Sequence, residues 1–384
     1  SYMKIVLSGI ETNNKGAELM LYAILQEIER KYPDAWVYVP IYAIGQGLSY
    51  IHTNLKVRNK PFAKIKKAAR KLHIPGILRR LHLPYYFIDD SSAVNDADYF
   101  IDASGFAFSD QWKPTDYIVK VWEKQLMGYH KQGTKIIFLP QAFGPVNLPN
   151  TKKELALLNQ YADIIMPREE VSLGYLQQCN VNMKKVRLFL DFTSIVYGQC
   201  PKRYDHLKNC VCIIPNLRMI DKGVISLENY LEILNKLIDK AIAGGYKVYL
   251  LNHEGREDEE LAYMCRNKLC NRIEVVTGLN ALEVKGLIAT SILCITSRFH
   301  GAASALNSCV PCLATSWSHK YAELFKGYGM TDCVLDVTNL VSCIDKVSEF
   351  LSANKNQEIR EHLRLQLPEI QSQTQDMWKC VWSI

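Results

Sequence analysis

The sequence predicts an α/β protein of two domains, and three observations support this fold class. A chain of 384 residues is longer than one hydrophobic core usually supports. Short apolar runs, typical of buried strands, alternate with amphipathic helical segments over most of the chain. A polar segment at residues 198–208 interrupts this alternation, which then resumes. We therefore expect an N-terminal domain at 1–200, a C-terminal domain at 201–347 and a helical tail at 348–384 that returns to the first domain.

Each predicted strand of the first domain is a short apolar run that ends in polar residues or glycine. A helix at 17–32 follows the first strand, because Leu21, Leu25 and Ile28 recur at helical spacing. The loop between them lacks the Gly-Lys-Ser/Thr ending of a P-loop. In chain order, we expect the strands at residues 4–8, 36–40, 97–101, 135–139, 161–167 and 188–191.

The same pattern is repeated after the polar segment. A helix is expected at 227–243, and the glycine pair at 244–245 ends it. A second helix is expected at 281–289, between two apolar runs. We expect the strands of this domain at residues 210–215, 246–251, 272–277, 292–295 and 309–314.

The stretch at residues 291–330 has the pattern of a strand, a polar turn, a helix and a second strand. In an α/β fold such a turn lies at the carboxyl end of the strand, where ligands bind, and the new helix offers N–H groups to an anion. Arg298 adds a guanidinium that suits phosphate or carboxylate, and His300 adds a group that exchanges a proton near neutral pH. The residues alone leave two interpretations open: an anion site with a proton donor, or an exposed arginine beside a capping histidine.

Family resemblance favours the first interpretation. The sequence Ser-Arg-Phe-His-Gly at 297–301 is followed by Ala-Leu-Asn, by Val-Pro and by His319-Lys320 before Gly329. This series resembles the signature of the polysaccharide pyruvyl transferases. The resemblance implies two Rossmann-like domains that face each other across a cleft, similar to glycosyltransferases of the B fold. It also implies an enzyme that transfers the enolpyruvyl group of phosphoenolpyruvate to a sugar.

Further segments resemble motifs of the same family. Pro-Gln-Ala-Phe-Gly-Pro at 140–145 and Arg-Glu-Glu-Val-Ser at 168–172 match well. The remaining matches are Asn14, Gly16 and Glu18 in the opening loop, Asp191, and His253 with an aspartate a few residues later.

The resemblance implies roles for individual residues. Phosphoenolpyruvate carries a phosphate and a carboxylate, so Arg168 and Arg298 are expected to bind it from the two domains. His300 is expected to be the general acid, and Asp191 or Asp102 the base for the attacking hydroxyl. The residues expected to bind the donor are Arg168, Arg298, Ser297, Phe299 and His253, and those expected to bind the acceptor are Asn14, Gln141, His319 and Lys320.

Several of these residues also have a structural interpretation that the sequence leaves open. Asn14 is the type of residue that caps a helix, and Asp102 the type that caps a turn. Gln141 fits a structural turn and His253 a polar loop. An arginine at the end of a strand, such as Arg168, is usually a surface residue.

Composition argues against several other classes of protein. No apolar run approaches the ~20 residues that span a bilayer, and the N-terminus enters a strand without the apolar core of a signal peptide. We therefore expect a cytoplasmic protein with reduced cysteines. Cys309 and Cys312 form a C-x-x-C pair at the start of a predicted strand, where neither redox chemistry nor zinc binding is expected. The expected chemistry requires no metal and no cofactor besides the donor substrate.

The positive charge of the chain is concentrated in one segment. Residues 56–80 contain ten Lys or Arg and no acidic residue, so the rest of the chain carries −3 within a net charge of +7. Phe62, Ile65, Ala69 and Leu72 fall on one face of a predicted basic amphipathic helix. Such a helix is typical of binding to an anionic membrane surface, here the inner face of the plasma membrane, and the alternative is a solvated helix. No nucleic-acid-binding module accompanies this charge, so nucleic acid is not an expected partner.

The first hypothesis is a ketal pyruvyl transferase that uses phosphoenolpyruvate and a sugar or lipid-linked oligosaccharide, with galactosides the first acceptors to test. One alternative is a nucleotide-sugar-dependent glycosyltransferase of the same architecture, although no nucleotide-binding fingerprint is evident. The other is a non-catalytic, membrane-associated binding protein, against which the presence of Arg168, Arg298 and His300 argues.

Overall fold

The computed structural model describes residues 2–40, 51, 53–60, 63–83, 92–268 and 273–384. The chain forms two compact units, each built around one parallel β-sheet. The first unit contains Ser1–Thr12, Met20–Asp191 and Gln375–Ile384, and the second contains Asn13–Leu19 and Phe192–Thr374. The longest segment of the first unit therefore ends at Asp191, before the polar segment that was expected to link the domains.

The first unit contains a six-stranded sheet. Its strands are β1 (Lys4–Ser8), β2 (Trp36–Val39), β3 (Lys56–Asn59), β4 (Tyr99–Asp102), β5 (Lys135–Gln141) and β6 (Ile164–Pro167). They are all parallel and pair in the order β3-β2-β1-β4-β5-β6. This is the strand order of a Rossmann fold, and the point at which ligands bind in such folds lies between β1 and β4, where the order reverses.

The helices of the first unit pack on a largely aromatic core. Phe100 of β4 contacts Tyr129 at 4.8 Å between ring centroids, and Phe108 stacks on Phe143 at 5.9 Å. The helices are α1 (Lys15–Lys31, in this unit from Met20 onward), α2 (Ala63–Lys71), α3 (Ile74–Arg80), α4 (Asp116–Lys131), α5 (Pro149–Tyr161) and α6 (Glu170–Gln178).

The second unit repeats this topology. Its strands are β7 (Val211–Ile214), β8 (Val248–Leu251), β9 (Glu274–Val276), β10 (Leu293–Thr296), β11 (Cys312–Thr315) and β12 (Val334–Leu335). They are also parallel and pair in the order β12-β11-β10-β7-β8-β9. Counted from β7, this is the strand order of the first sheet, so the order reverses between β7 and β10.

The helices of the second unit connect its strands and end in a long C-terminal helix. The last of them includes residues of both units: those up to Thr374 belong to the second unit and those from Gln375 to the first. The helices are α7 (Arg218–Asp221), α8 (Leu227–Ala243), α9 (Gly255–Asn267), α10 (Ala281–Ala289), α11 (Phe299–Asn307), α12 (Lys320–Gly327), α13 (Leu340–Leu351) and α14 (Ala353–Trp382).

The two sheets confirm the predicted fold class of two Rossmann-like α/β domains, but one predicted strand is wrong. Residues 188–191 do not form a strand. Arg187 and Phe189 donate backbone hydrogen bonds to Ile165 and Pro167 of β6. A regular ladder cannot continue there, because Pro167 has no N–H group with which to return a bond.

The basic segment at 56–80 is not a single amphipathic helix. Its first residues form β3, where the Arg58 guanidinium lies 3.9 Å from the centroid of the Trp36 ring. The remainder forms the two short helices α2 and α3. Phe62, which was assigned to the apolar face, lies outside the described residues.

None of the helices in the described part of the chain is long and apolar enough to cross a membrane.

Candidate active site

The candidate site lies where the strand order of the second sheet reverses. Thr296, the last residue of β10, is in register with Ile214, the last residue of β7. The polar residues that follow these two strands are Asn216 after β7 and Ser297 and Arg298 after β10. Adjacent parallel strands bring their carboxyl ends to the same edge of the sheet, so these side chains meet at one place.

Ser297 is at the centre of a buried hydrogen-bond network. Its hydroxyl is 2.6 Å from the Tyr230 hydroxyl and also bonds the hydroxyl of Thr315, at the end of β11. Its carbonyl accepts hydrogen bonds from Asn216 Nδ2 at 2.9 Å and from the Tyr321 hydroxyl at 2.7 Å. The Ser297 N–H also donates to the Ile214 carbonyl at 2.9 Å, so all of its polar groups are bonded within the protein. The network fixes the turn that positions Arg298, and the expected contact of Ser297 with the donor stays a prediction.

The turn after Ser297 is tight because helix α11 starts directly after Arg298. The Arg298 N–H donates to Thr296 Oγ1 at 2.9 Å. A Cβ atom at Gly301 would lie 2.6 Å from that same oxygen, so this position requires glycine. The small residues of α11 therefore allow the helix to approach the strand end closely, and they place His300 in its first turn.

Arg298 is held by two carboxylates of the second unit. Its Nε and Nη2 donate to Asp258 Oδ2 at 3.0 and 2.5 Å, and its Nη1 pairs with Glu254. Burial opposes the charge of the guanidinium, but the two carboxylates outweigh burial and raise the pKa of Arg298. Arg298 therefore follows β10 with two carboxylates around its single charge, and its binding of an anion stays a prediction.

His300 is buried between aromatic and backbone groups. Its ring lies edge-to-face with Phe299, with 5.0 Å between the ring centroids. On another side it faces the backbone of Gly16, where a Cβ atom would lie 2.5 Å from His300 Nδ1. The start of α1 thus forms one wall of the His300 site within the second unit.

The segment Asn13–Leu19 is anchored in the second unit by its backbone and side chains. The Lys15 N–H donates to the His253 carbonyl at 3.1 Å, and Asn14 forms a β-bridge with Glu254. The Glu18 carboxylate accepts the Ala281 N–H and pairs with Lys15, and burial raises the pKa of Glu18.

Asn14 has the capping role that the sequence left open as the alternative to acceptor binding. Its Oδ1 accepts hydrogen bonds from the N–H groups of Gly16 at 2.9 Å and Ala17 at 3.4 Å. These are donors of the first turn of α1, so the side chain caps this helix.

His253 follows the end of β8 and is buried beside the same cluster. Burial and the neighbouring charges of Arg298 and His300 hold the pKa of His253 well below its ordinary value. Within the described residues, its Nδ1 has no hydrogen-bond partner. His253 is therefore a neutral imidazole at neutral pH, with a nitrogen available for a ligand.

Lys320 and His319 lie at the start of α12. The Lys320 ammonium is buried, 4.2 Å from the centroid of the Trp317 ring and 5.7 Å from those of Phe299 and Tyr321. Because Phe299 also contacts His300, the Lys320 ammonium belongs to the same side-chain cluster.

The predicted site residues of the first unit form a second group. Asp102, at the end of β4, is fully buried and accepts hydrogen bonds from the Ser104 N–H and hydroxyl and from Gln141 Nε2 at 3.4 Å. Burial raises the pKa of Asp102. Arg168 is buried directly after β6, and its N–H donates to the Gln141 carbonyl at 3.0 Å. Asp191 is buried at the end of the segment Met20–Asp191, and its place in this group stays a prediction.

The structure adds several residues that sequence reasoning missed. Glu254 binds Arg298 beside Asp258, the aspartate that the sequence had marked as a family match without its partner. Asn216, Tyr230 and Tyr321 hold Ser297 from distant parts of the chain, and their sequence carries no local signal for that role.

Cysteine and metal chemistry are not evident in the described part of the chain. Its cysteines are all free thiols, and Cys312 opens β11, as expected for a C-x-x-C pair at the start of a strand. Within the same residues, no group of three or more His, Cys, Asp or Glu side chains is arranged to hold a metal ion.

Solved structures with similar folds act on or bind UDP-sugars. HepE of Anabaena, in complex with UDP and glucose, has a TM-score of 0.61 at 12% identity, and both chains are covered completely. The UDP-GlcNAc 2-epimerase of Neisseria meningitidis, bound to UDP-GlcNAc, has a TM-score of 0.60 at 10% identity, also over all of both chains. At this identity the likeness shows the fold alone, which is similar to that of glycosyltransferases of the B fold.

Two sequence comparisons bear on the family. The amylovoran biosynthesis protein AmsJ of Erwinia amylovora is 22% identical over 388 aligned positions, which cover 91% of this chain and 92% of AmsJ. The model of the family described as polysaccharide pyruvyl transferase matches residues 14–319, a range that includes Arg168, Arg298 and His300. Because this match covers most of the chain, the protein belongs to the polysaccharide pyruvyl transferase family.

Proposed function

We propose that this protein is a ketal pyruvyl transferase that moves the enolpyruvyl group of phosphoenolpyruvate onto two hydroxyls of a sugar in polysaccharide biosynthesis. The observation that carries the proposal is the placement of Arg298, His253 and His300 at the reversal point of the second sheet. The family match and the similarity to AmsJ support a role in polysaccharide biosynthesis.

The donor requires cations because it carries a phosphate and a carboxylate. Arg298 is the proposed contact in the second unit, with His253 as a neutral hydrogen-bonding neighbour. Arg168, buried at the end of β6, remains the proposed contact from the first unit. A hydrogen bond to a charged group contributes about 1.5–3 kcal/mol, so two guanidinium groups can offset the cost of desolvating the donor.

The proposed reaction needs one acid and one base. His300 donates a proton to the methylene carbon of phosphoenolpyruvate, which leaves positive charge on the central carbon. A sugar hydroxyl attacks that carbon and loses its proton to a carboxylate. Phosphate then leaves with the electron pair of its C–O bond. A second hydroxyl adds to the central carbon and returns its proton to His300, which closes the cyclic ketal. Asp102 and Asp191 remain the two proposed bases, and burial raises the pKa of Asp102.

The acceptor site is proposed from residues near these groups. In the second unit Lys320 lies beside Phe299, and His319 directly precedes it. In the first unit Gln141 bonds Asp102. Asn14 is not retained as an acceptor contact, because its Oδ1 caps α1. Galactosides are the first acceptors to test, both free and attached to a lipid carrier.

A phosphate-release assay with phosphoenolpyruvate and a set of sugar acceptors tests this function. We expect acceptor-dependent release of phosphate, and a fall in kcat of about 100-fold or more in His300→Asn, because the proton donor is lost. His206→Asn is the matched control, since His206 is an exposed histidine that pairs with Glu274. Full activity of His300→Asn would remove His300 as the acid. Thermal stabilisation by UDP and not by phosphoenolpyruvate would favour a nucleotide-sugar transferase instead.

We further propose that helices α2 and α3 bind an anionic membrane surface. Ile65 and Leu72 of this region are 68% and 67% exposed, and Ile77 and Leu81 are also exposed. Exposed basic residues lie beside them: Lys64, Lys67, Arg70, Lys71 and Arg80. An apolar face surrounded by cations is complementary to an anionic leaflet, and each cation near it contributes about 1 kcal/mol.

Vesicle flotation tests this second proposal. We expect the full chain to float with vesicles of phosphatidylcholine and phosphatidylglycerol at low salt and to be released at high salt. Exchange of Lys64, Lys67 and Lys71 for glutamine should abolish flotation, whereas the same exchange at Lys113, Lys120 and Lys131, which are exposed lysines at and near α4, should not. Absence of wild-type flotation on anionic vesicles would overturn the membrane proposal and leave the transferase proposal intact.

A further inference from the structure

The two carboxylates that bind Arg298 come from one short stretch of chain. Glu254 is the residue directly before α9, and Asp258 lies in the first turn of that helix. Glu254 has an extended backbone as the N-cap of α9, and both side chains reach Arg298. One guanidinium is thus paired with two carboxylates, and the group as a whole carries a net negative charge.

The two carboxylates are held differently. The Asp258 side chain is 3% exposed, and besides its two bonds from Arg298 it accepts the Leu217 N–H at 3.0 Å through its other oxygen. The Glu254 side chain is 23% exposed and pairs with Nη1 of Arg298. Asp258 therefore has a fixed position, whereas Glu254 lies on the solvent side and can rotate away without leaving a buried charge unpaired.

The bonds to Asp258 leave one edge of the guanidinium for another anion. Arginine has five N–H donors, one on Nε and two on each terminal nitrogen. Asp258 accepts one hydrogen bond from Nε and one from Nη2. The remaining donors are those of Nη1 and the second N–H of Nη2. This end of the guanidinium is suited to bidentate binding of a phosphate or carboxylate. In the structure Glu254 covers this end through Nη1.

We propose that Glu254 is an internal counter-ion that occupies the donor-binding end of Arg298 and that the substrate anion must displace, while Asp258 remains as the positioning residue. This inference rests on the proposed use of Arg298 to bind phosphoenolpyruvate. The Glu254 carboxylate and the substrate anion repel each other. This repulsion is relieved because the carboxylate leaves the site as the anion enters. Weakly charged anions do not compete well with a tethered carboxylate, so Glu254 makes the site selective for a donor that carries more than one negative charge.

Three substitutions on one helical stretch test the inference: Glu254→Gln, Asp258→Asn and, as the matched control, Glu260→Gln. Glu260 pairs with Arg256 at the surface, so its exchange removes an equivalent charge away from Arg298. The measurements are the Kd of phosphoenolpyruvate and of inorganic phosphate by calorimetry, together with KM and kcat.

We expect Glu254→Gln to lower the Kd of both anions by about threefold to tenfold, because a partly exposed competing charge is removed. KM for phosphoenolpyruvate should fall in the same variant, with kcat unchanged or reduced. Asp258→Asn should raise both Kd values by about tenfold or more, since the guanidinium loses its buried anchor. The thermal midpoint of Asp258→Asn shows whether this variant is folded. If it is unfolded, the Glu254→Gln result decides the inference. Glu260→Gln should match the wild type.

The outcomes separate this inference from the proposed function. Turnover of phosphoenolpyruvate by the wild type, with unchanged or weaker binding in Glu254→Gln, would overturn the inference alone. Tighter phosphate binding in Glu254→Gln without any binding or turnover of phosphoenolpyruvate would support the counter-ion and overturn the proposed donor. If neither the wild type nor Glu254→Gln bound phosphoenolpyruvate or phosphate, the inference and the proposed function would both be overturned.

Discussion

The backbone of Gly16 lies directly against the imidazole of His300. A side-chain carbon at position 16 would lie 2.5 Å from Nδ1 of that ring, well inside van der Waals contact. These residues are 284 positions apart in the sequence, and both belong to the second unit. The position of the proposed catalytic acid is therefore set in part by a residue near the start of the chain.

Gly16→Ala is expected to reduce activity without unfolding the protein. The added methyl group must displace the His300 ring, and misplacement of a catalytic group by about 1 Å can cost roughly 100-fold in rate. Gly16 lies in α1, where alanine is favoured over glycine by about 1 kcal/mol, so helix stability should not suffer. The measurement is kcat with phosphoenolpyruvate, alongside the thermal midpoint.

Gly174→Ala is the control for this substitution. Gly174 also lies in a helix, α6, and a Cβ atom there would meet no atom within 4 Å. It should leave kcat unchanged. If Gly16→Ala retained the wild-type kcat, catalysis would not depend on the observed position of the His300 ring.

Tyr321→Phe is expected to weaken both stability and donor binding. The Tyr321 hydroxyl is buried and donates to the Ser297 carbonyl at 2.7 Å, so its removal should lower the free energy of unfolding by about 1–2 kcal/mol. Because Ser297 precedes Arg298, we expect KM for phosphoenolpyruvate to rise more than kcat falls. Tyr197→Phe is the control, since Tyr197 is 76% exposed. An unchanged unfolding curve for Tyr321→Phe would contradict the structural role of this bond.

The elements best predicted from the sequence are those whose signals are local. Helix α8 has the predicted bounds, and the Ser226 side chain caps it at the Asn229 N–H. Helix α10 also has the predicted bounds, and Asn280 and Glu283 form a capping box at its start. In both cases the residues that begin the helix lie within four positions of the groups they bond, so the sequence contains the whole interaction.

The elements and site residues that were missed depend on distant parts of the chain. The segment at 188–191 fails as a strand because its potential partner ends in Pro167, which its own residues cannot reveal. Arg298 and His300 were predicted because they belong to a contiguous motif. The partners of that motif, Asp258 and Tyr230, lie 40 and 67 residues from the residues they bond. Asp258 had been noted only as a family match, so the three-dimensional structure was needed to pair either residue with the motif.

Arg168→Lys is expected to impair donor binding even though it preserves charge. Lysine lacks the planar fork that binds a phosphate or carboxylate through two parallel bonds. We expect the Kd of phosphoenolpyruvate to rise by about tenfold, which corresponds to 1.4 kcal/mol. Arg187→Lys, at an exposed position of the same unit, is the control. Equal affinities in both variants and the wild type would remove Arg168 from the proposed donor site.

Glu154 should make the stability of the protein fall as the pH rises. This glutamate of α5 is buried, its Oε1 has no hydrogen-bond partner among the described residues, and burial raises its pKa to about 8 from an ordinary 4.5. The folded protein therefore holds the proton more tightly than the unfolded chain. Its contribution to stability is complete below pH 4.5 and is lost as the pH rises through the folded-state pKa of about 8.

Denaturant unfolding of the wild type and of Glu154→Gln between pH 5 and 9 measures this contribution. Because glutamine does not titrate, the variant should gain stability relative to the wild type as the pH rises, by up to about 4 kcal/mol. The same comparison with Glu123→Gln, at an exposed position of α4, should show no such trend. Parallel stability curves for the wild type and Glu154→Gln would mean that Glu154 is ionised in the folded protein, with a counter-charge or water molecule that relieves its burial.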